Sequence, residues 1–405
     1  MAKMKKNVTP AAEFSRTARG GQRESRDISF DAPGLILTKG GIASHGSSMK
    51  TALLASLIGA LALAAPPAAA RGLTVAVVAP KEGPLAILGQ QVRDGARFAA
   101  QADGDTVVEV AEACDESDGA GIAKAVLAAD AAAAIGFLCT EGLSASLPAL
   151  AEAKVPAITL SVRSGILMED ALKKKWPLFR LAPGPKAEAE KAVETITRDW
   201  KSEPFALIDD GTIHARELVE TVRLHLEDVG MKAAFVDTFR PAQEQQIALV
   251  RRLAKTGVTR VFIGGDRTDA AVIARDAKAE KAPFRLLGGE ALVGADPAVP
   301  MTDGVEAIAL PDYALTPEGR PVADAMKEKG IVAEGYVLPA HAAMTALAAA
   351  AATEGGDLAD RLAAGSFTTA IGPLSFGADH ELRDNPYRLL VWRAGAFVPA
   401  EDRAE

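Results

Sequence analysis

LTVAVVAP (73–80), followed by GQQVRDGARFAAQA (89–102), is the stretch that decides the fold. The first run is short, mostly apolar and rich in Val, the composition of a strand covered on both faces. The second places Val92, Ala96, Phe98 and Ala99 at helical spacing, so one side of a helix is apolar. A buried strand that feeds an amphipathic helix is the first half of a βαβ unit. The alternation then continues. TVVEVAEAC (106–114), AAAAIGFLC (131–139) and VPAITLSV (155–162) read as strands, with helices over GAGIAKAVLAAD (119–130) and SASLPALAEAK (144–154).

The pattern restarts past Ala182-Pro183-Gly184-Pro185. Helical segments at 186–200, 215–230, 243–257 and 269–280 alternate with strands at 204–210, 233–240, 259–266, 284–290 and 304–310. Gly230 and Gly257 stand where helix C-caps are expected. An Ala-rich helix at 341–352 and a hairpin-like stretch, GPLSF to YRLLVW (372–392), end the chain. The expectation is an α/β protein with two doubly wound lobes and parallel sheets.

The chain has 405 residues, 49% of them hydrophobic, and a formal net charge of −8. That length suits two domains. Charge is unevenly spread: residues 71–405 carry 36 basic and 49 acidic side chains. So acidic a body argues against nucleic acid, which needs clustered Lys and Arg. The run Lys173-Lys174-Lys175 reads as a solvated helix end. Residues 49–70, MKTALLASLIGALALAAPPAAA, have the basic start, apolar core and small-residue end of a secretory signal, with cleavage expected after about Ala70. Residues 1–48 are polar and Gly/Ser-rich, a disordered extension or an over-extended start ahead of Met49. The expected location is the periplasm. An even count of two Cys in an exported chain suggests one disulfide, Cys114–Cys139, with two free thiols as the alternative.

Several segments in order resemble the periplasmic leucine/isoleucine/valine-binding proteins, the substrate-binding proteins of branched-chain amino acid ABC transporters. These are VAVVAPKEGPLAILGQQVRDGA (75–96), CDESDGAGIAKAV (114–126) with IGFLCTEGLSASLPALAEAKVPAITLSV (135–162), FIGGD (262–266), LLGGE (286–290) and IGPLSFGADHELRDN (371–385). The resemblance implies a type I periplasmic-binding-protein fold: two Rossmann-like lobes joined by a three-stranded hinge, with the ligand between them. By similarity the crossovers fall near 180–186, 309–313 and 370–377. The N-terminal lobe is then 72–183 plus 312–370, and the C-terminal lobe 184–311 plus 371–405. The implied protein is a monomeric receptor that binds an amino acid or related polar or zwitterionic solute and delivers it to ABC permease subunits. A periplasmic ligand-sensing protein of the same fold, partnering a signalling receptor, is the alternative.

Candidate ligand residues sit where strands end and helices begin, the place where doubly wound sheets bind ligands. Thr140 and Glu141 open a helix whose first N–H groups favour an anion, and the resemblance gives Thr140 a carboxylate-binding hydroxyl; an N-cap is its alternative role. Ser161 and Arg163 match ligand-touching positions. Arg163 could grip a carboxylate with two parallel bonds or serve in an inter-lobe or surface ion pair. Glu290 matches the family's ammonium-binding acid. Asp266 follows another Gly-Gly pair and could equally cap the helix at 269–280. His214 and His341 stand where the family often has Tyr, and Leu88 where an aromatic is common.

Enzyme chemistry is not expected. The loop APKEGP is not GxGxxG, and no GxSxG elbow, P-loop, HExxH or CxxC occurs. No catalytic residue, cofactor or metal ligand is assigned.

Overall fold

The structure, a computed structural model, describes residues 72–400 apart from 283 and 295–298. The expected signal segment 49–70 and extension 1–48 lie outside the described residues.

The opening alternation forms the first sheet. Its elements are β1 (Thr74–Ala79), α1 (Ala86–Asp103), β2 (Thr106–Ala111), α2 (Gly119–Ala128), β3 (Ala133–Gly136), α3 (Thr140–Glu152), β4 (Ala157–Thr159), α4 (Gly165–Lys174) and β5 (Leu178–Arg180). Every pair is parallel, in the order β2-β1-β3-β4-β5. The order reverses at β1, so a crevice opens at the carboxyl ends of β1 and β3. Alternate side chains of β1 serve two cores: Val75 and Val77 face α1, while Ala76 and Val78 face α2 and α3. Burial on both faces explains the near-continuous apolar reading of that strand.

The second sheet is built from α5 (Ala187–Asp199), β6 (Phe205–Asp209), α6 (Ile213–Asp228), β7 (Phe235–Thr238), α7 (Ile247–Lys255), β8 (Arg260–Gly264), α8 (Arg267–Ala279), β9 (Arg285–Gly288) and β10 (Glu306–Ala309). The chain then returns to the first sheet as α9 (Arg320–Glu328), α10 (Val337–Ala351), α11 (Leu358–Ala364), β11 (Ser366–Thr369) and β12 (Gly372–Ser375). Gly95 of α1 lies against the carbonyl of Val337 in α10, so close that any Cβ would overlap it. Finally β13 (Arg388–Arg393) and β14 (Ala396–Pro399) add antiparallel strands beside β10, giving the order β14-β13-β10-β9-β8-β6-β7.

Two expectations need correction here. The stretch 372–392 is not one hairpin, because β12 pairs with β11 while β13 joins the second sheet. The third crossover also comes later than 370–377. Leu374 and Phe376 pack into the first sheet's core, Phe376 lies edge-on to Phe179 at 5.0 Å, and the Arg180 N–H donates to the carbonyl of His380 at 3.0 Å. The chain therefore leaves the first lobe near residues 383–387, and 371–382 belong with it.

The loops that follow β2 and β3 flank the end of β1 and are tied together there. Cys114 and Cys139 form a disulfide, with Cα atoms 5.2 Å apart. Beside it Glu112, buried, accepts the N–H of Leu138 at 2.9 Å and of Cys139 at 3.1 Å. Burial pushes this carboxyl up to about 7, against the pull of those two N–H groups. The next residues of that loop begin α3, so its shape sets the position of Thr140.

Two outcomes follow. Cys114→Ser with Cys139→Ser removes a cross-link over a sequence separation of 25 and is expected to lower unfolding free energy by about 3 kcal/mol. An unchanged urea midpoint contradicts this. For Glu112, a folded pKa above the ordinary 4.5 means its stabilising contribution is complete below pH 4.5 and lost as pH rises through about 7. Urea unfolding between those limits should show a decline of up to about 3 kcal/mol that Glu112→Gln flattens. Equal pH slopes in both proteins contradict it.

Candidate functional site between the two sheets

The loops at the carboxyl ends of the two sheets meet through Arg163. This residue follows β4, just ahead of the Ser164 side chain that caps α4 by accepting the Leu167 N–H. Its Nη1 donates to Glu290 Oε2 at 2.9 Å and its Nη2 to Glu290 Oε1 at 3.3 Å, a two-point bond. Glu290 follows β9 in the second sheet. The Tyr387 hydroxyl completes the group, accepting from Arg163 Nη1 at 3.0 Å and donating to Glu290 Oε2 at 2.6 Å. Of the two readings open for Arg163, the inter-lobe ion pair is the one seen.

Electrostatics follow this geometry. Burial opposes the charge on Glu290, but the hydrogen bonds from Arg163 and Tyr387 outweigh it and hold the carboxyl below its ordinary value. For Arg163 the same partners outweigh burial and raise its pKa. Burial, reinforced by the Glu290 charge, pushes the Tyr387 phenol up, so it stays a donor. Beneath them Glu188, near the start of α5, accepts the Glu290 N–H at 2.6 Å. Gly289 leaves room for that contact, since a Cβ there would collide with Glu188 Oε1. Burial raises the Glu188 pKa, against the pull of the Glu290 N–H that its oxygen accepts. His214, exposed in the first turn of α6, lies close enough for its charge to act on both Glu188 and Glu290.

On the first sheet, Ser161 Oγ accepts from Tyr336 Oη at 3.0 Å. Thr159 sets the turn beneath: its hydroxyl donates to the Phe137 carbonyl at 2.9 Å and accepts the Val162 N–H at 3.1 Å. Phe137 has φ 53° with its ring fully buried, a left-handed conformation costly for a bulky residue. It is held between Thr159 and the Val78 carbonyl, which accepts its N–H at 2.8 Å. Such strain persists where surrounding contacts over-determine it. Thr140 and Glu141, both exposed, begin α3 after this turn; Cys139 occupies the N-cap position without a side-chain cap.

Two candidates serve other ends. Asp266 caps α8 by accepting the Asp269 N–H at 2.9 Å, its alternative role. His341 is a correction: its ring packs against Phe98 of α1, centroids 6.1 Å apart, and hydrogen-bonds its own helix at Thr345. Phe98 and Asp103, whose charge it feels, lie in the second half of α1, away from the strand ends that carry Arg163. The aromatic that does reach the site from this region is Tyr336, at the N-cap of α10. The helix begins at Val337, a full turn earlier than its Ala-rich run suggests. Leu88 packs partly against the first core.

Two further concavities, of about 1020 Å³ and about 940 Å³, lie beside Phe284 and Met301 on the second sheet and beside Tyr313 and Leu382 along the hinge. Neither is lined by Ser161, Arg163 or Glu290. Among the described residues Glu112, Cys114 and Cys139 cluster as metal ligands might. Both sulfurs are consumed by the disulfide, so the set does not suit a metal. No described helix is long and apolar enough to cross a membrane.

Comparison with known proteins agrees with this architecture. A family model described as periplasmic binding protein matches residues 72–396. The Leu/Ile/Val-binding protein BraC3 of Rhizobium johnstonii is 27% identical over 383 residues, covering 87% of this chain and 100% of that protein. A crystal structure of a branched-chain amino acid ABC transporter protein from Rhodospirillum rubrum superposes with a TM-score of 0.70 at 16% identity, covering 81% of this chain and 100% of its own. A solute binding protein of an ABC transporter from R. palustris, in complex with benzoate, gives a TM-score of 0.55 at 18% identity over 81% of this chain and 95% of its own. The two sheets, parallel apart from β13 and β14, are those of the type I fold, and the chain belongs to the periplasmic binding protein family, within which it is similar to the Leu/Ile/Val-binding proteins.

Proposed function

We propose that this protein is the periplasmic receptor of an ABC importer, holding an amino acid or related small carboxylate between its lobes and presenting the closed form to a permease. The observation that carries this reading is the Arg163–Glu290–Tyr387 group, which joins loops from both sheets at their strand ends. In a doubly wound fold those ends are where ligands lie.

In this reading the solute docks first on the first lobe, with its carboxylate toward Thr140, Ser161 and the start of α3. Ser161 Oγ accepts from Tyr336, which leaves its own proton free to be donated. The second lobe, 184–311 with the strands after residue 387, then closes and brings His214 and Glu290 over the ligand. Closure is a population shift, stabilised by contacts made only in the closed form. BraC3 is named for Leu, Ile and Val, and the R. palustris neighbour holds benzoate. What these ligands share is a carboxylate on an apolar body, the chemistry proposed here.

A thermal-shift screen of small carboxylates, amino acids included, should find members that raise the melting temperature. Calorimetry with Arg163→Ala and Glu290→Ala should then show affinity weakened roughly tenfold, the scale of a half-exposed two-point charge pair that closes over the ligand. No shift from any carboxylate, or unchanged affinity in both variants, contradicts the proposal.

A further inference from the structure

Arg163 does something to the ligand site beyond joining the lobes. The resemblance assigns Glu290 to a ligand ammonium, yet both Glu290 oxygens already face a cation of the chain itself. Oε2 accepts from Arg163 Nη1 and from the Tyr387 hydroxyl, and Oε1 accepts from Arg163 Nη2. A ligand ammonium at Glu290 would stand beside the guanidinium, two like charges competing for one carboxylate. The neighbouring acids are committed too. Glu188 accepts the Glu290 N–H, Asp266 caps α8, and Asp210 accepts both the N–H and the hydroxyl of Thr212. Glu188, Asp266 and Asp210 are thus matched internally, with Glu141 exposed at the start of α3, while the guanidinium, with five N–H donors, and the Ser161 hydroxyl offer hydrogen-bond donors.

Ile87, Ile166 and Ile213 stand in the first turns of α1, α4 and α6, helices that follow strand ends of both sheets, and are 72%, 77% and 79% exposed. Exposed isoleucine at helix starts of this kind offers apolar contact to a ligand body.

We propose that Arg163 takes the place of a ligand ammonium at Glu290 and selects carboxylates that lack an α-amino group. This rests on the receptor reading above and narrows its substrate class to 2-oxo, aliphatic or aromatic monocarboxylic acids. Arg163 is the specificity-determining residue, and Tyr387 and Glu188 position Glu290 against it.

Calorimetry on the purified protein with matched pairs tests this: L-leucine against 4-methyl-2-oxopentanoate, L-phenylalanine against phenylpyruvate, with benzoate as a third acid. The expected result is binding of the acid without the ammonium at least ~10-fold tighter in each bound pair, the scale of one uncompensated like-charge contact. In Arg163→Ala the preference should move toward the amino acid by a similar factor, because Glu290 is left unpaired. Tighter binding of the amino acids by the wild-type protein overturns the inference and leaves the receptor reading standing. Binding of no member, with no hit in the wider carboxylate screen, overturns both.

Discussion

Everything at the functional end of this molecule depends on one guanidinium between two lobes. Arg163 is 42% exposed and Glu290 32%, so this is neither a surface pair nor a buried one. An exposed pair contributes up to about 1 kcal/mol, and bidentate geometry with a shared phenol adds to that. A contribution of this size shifts an open–closed equilibrium roughly tenfold without locking it. It is a contact that can break and re-form.

The lobes can respond as bodies because each carries its own two-sided core. Strands β1 and β3 are covered by α1 and α10 on one face and by α2 and α3 on the other, while β6 and β8 lie between α5 and α6 on one side and α7 and α8 on the other. The crossings are anchored on the first-lobe side. Arg180, fully buried, pairs with Glu381, and the His380 ring stacks on Phe179 at 4.4 Å. A buried charge with a dedicated partner is costly to separate. Beyond these contacts the chain runs on into α5 and β13.

Much of this was legible in the sequence, for identifiable reasons. Strands buried on both faces produce runs such as LTVAVVAP, and amphipathic helices produce their own period, so the alternation could be read directly. The pair Cys114–Cys139 followed from count and compartment. The ion pair and the helix cap weighed for Arg163 and Asp266 are contacts that both residues make. Short elements escaped: Lys173-Lys174-Lys175 marked the end of α4 but not its start, β5 is only three residues long, and β12 pairs with β11 across a tight turn. The site tyrosines escaped because neither belongs to a periodic segment. Tyr336 precedes its helix, after Gly335 at φ 54°, and Tyr387 follows Asn385-Pro386. A chain with only three Tyr offered one signal, namely that two of them punctuate a helix start and a strand start. His341 was proposed from its match to a family position that often holds Tyr; the helix that carries it starts at Val337, with Tyr336 at its N-cap, and the His341 ring packs on Phe98.

Small-angle X-ray scattering of the ligand-free wild-type protein and of Arg163→Ala tests the central claim most directly. If Arg163 draws the lobes together through Glu290 and Tyr387, the variant has the larger radius of gyration at low ionic strength, and salt moves the wild type toward it. Superimposable curves for the two proteins would contradict the account, since the guanidinium would then bridge two lobes held in place by something else.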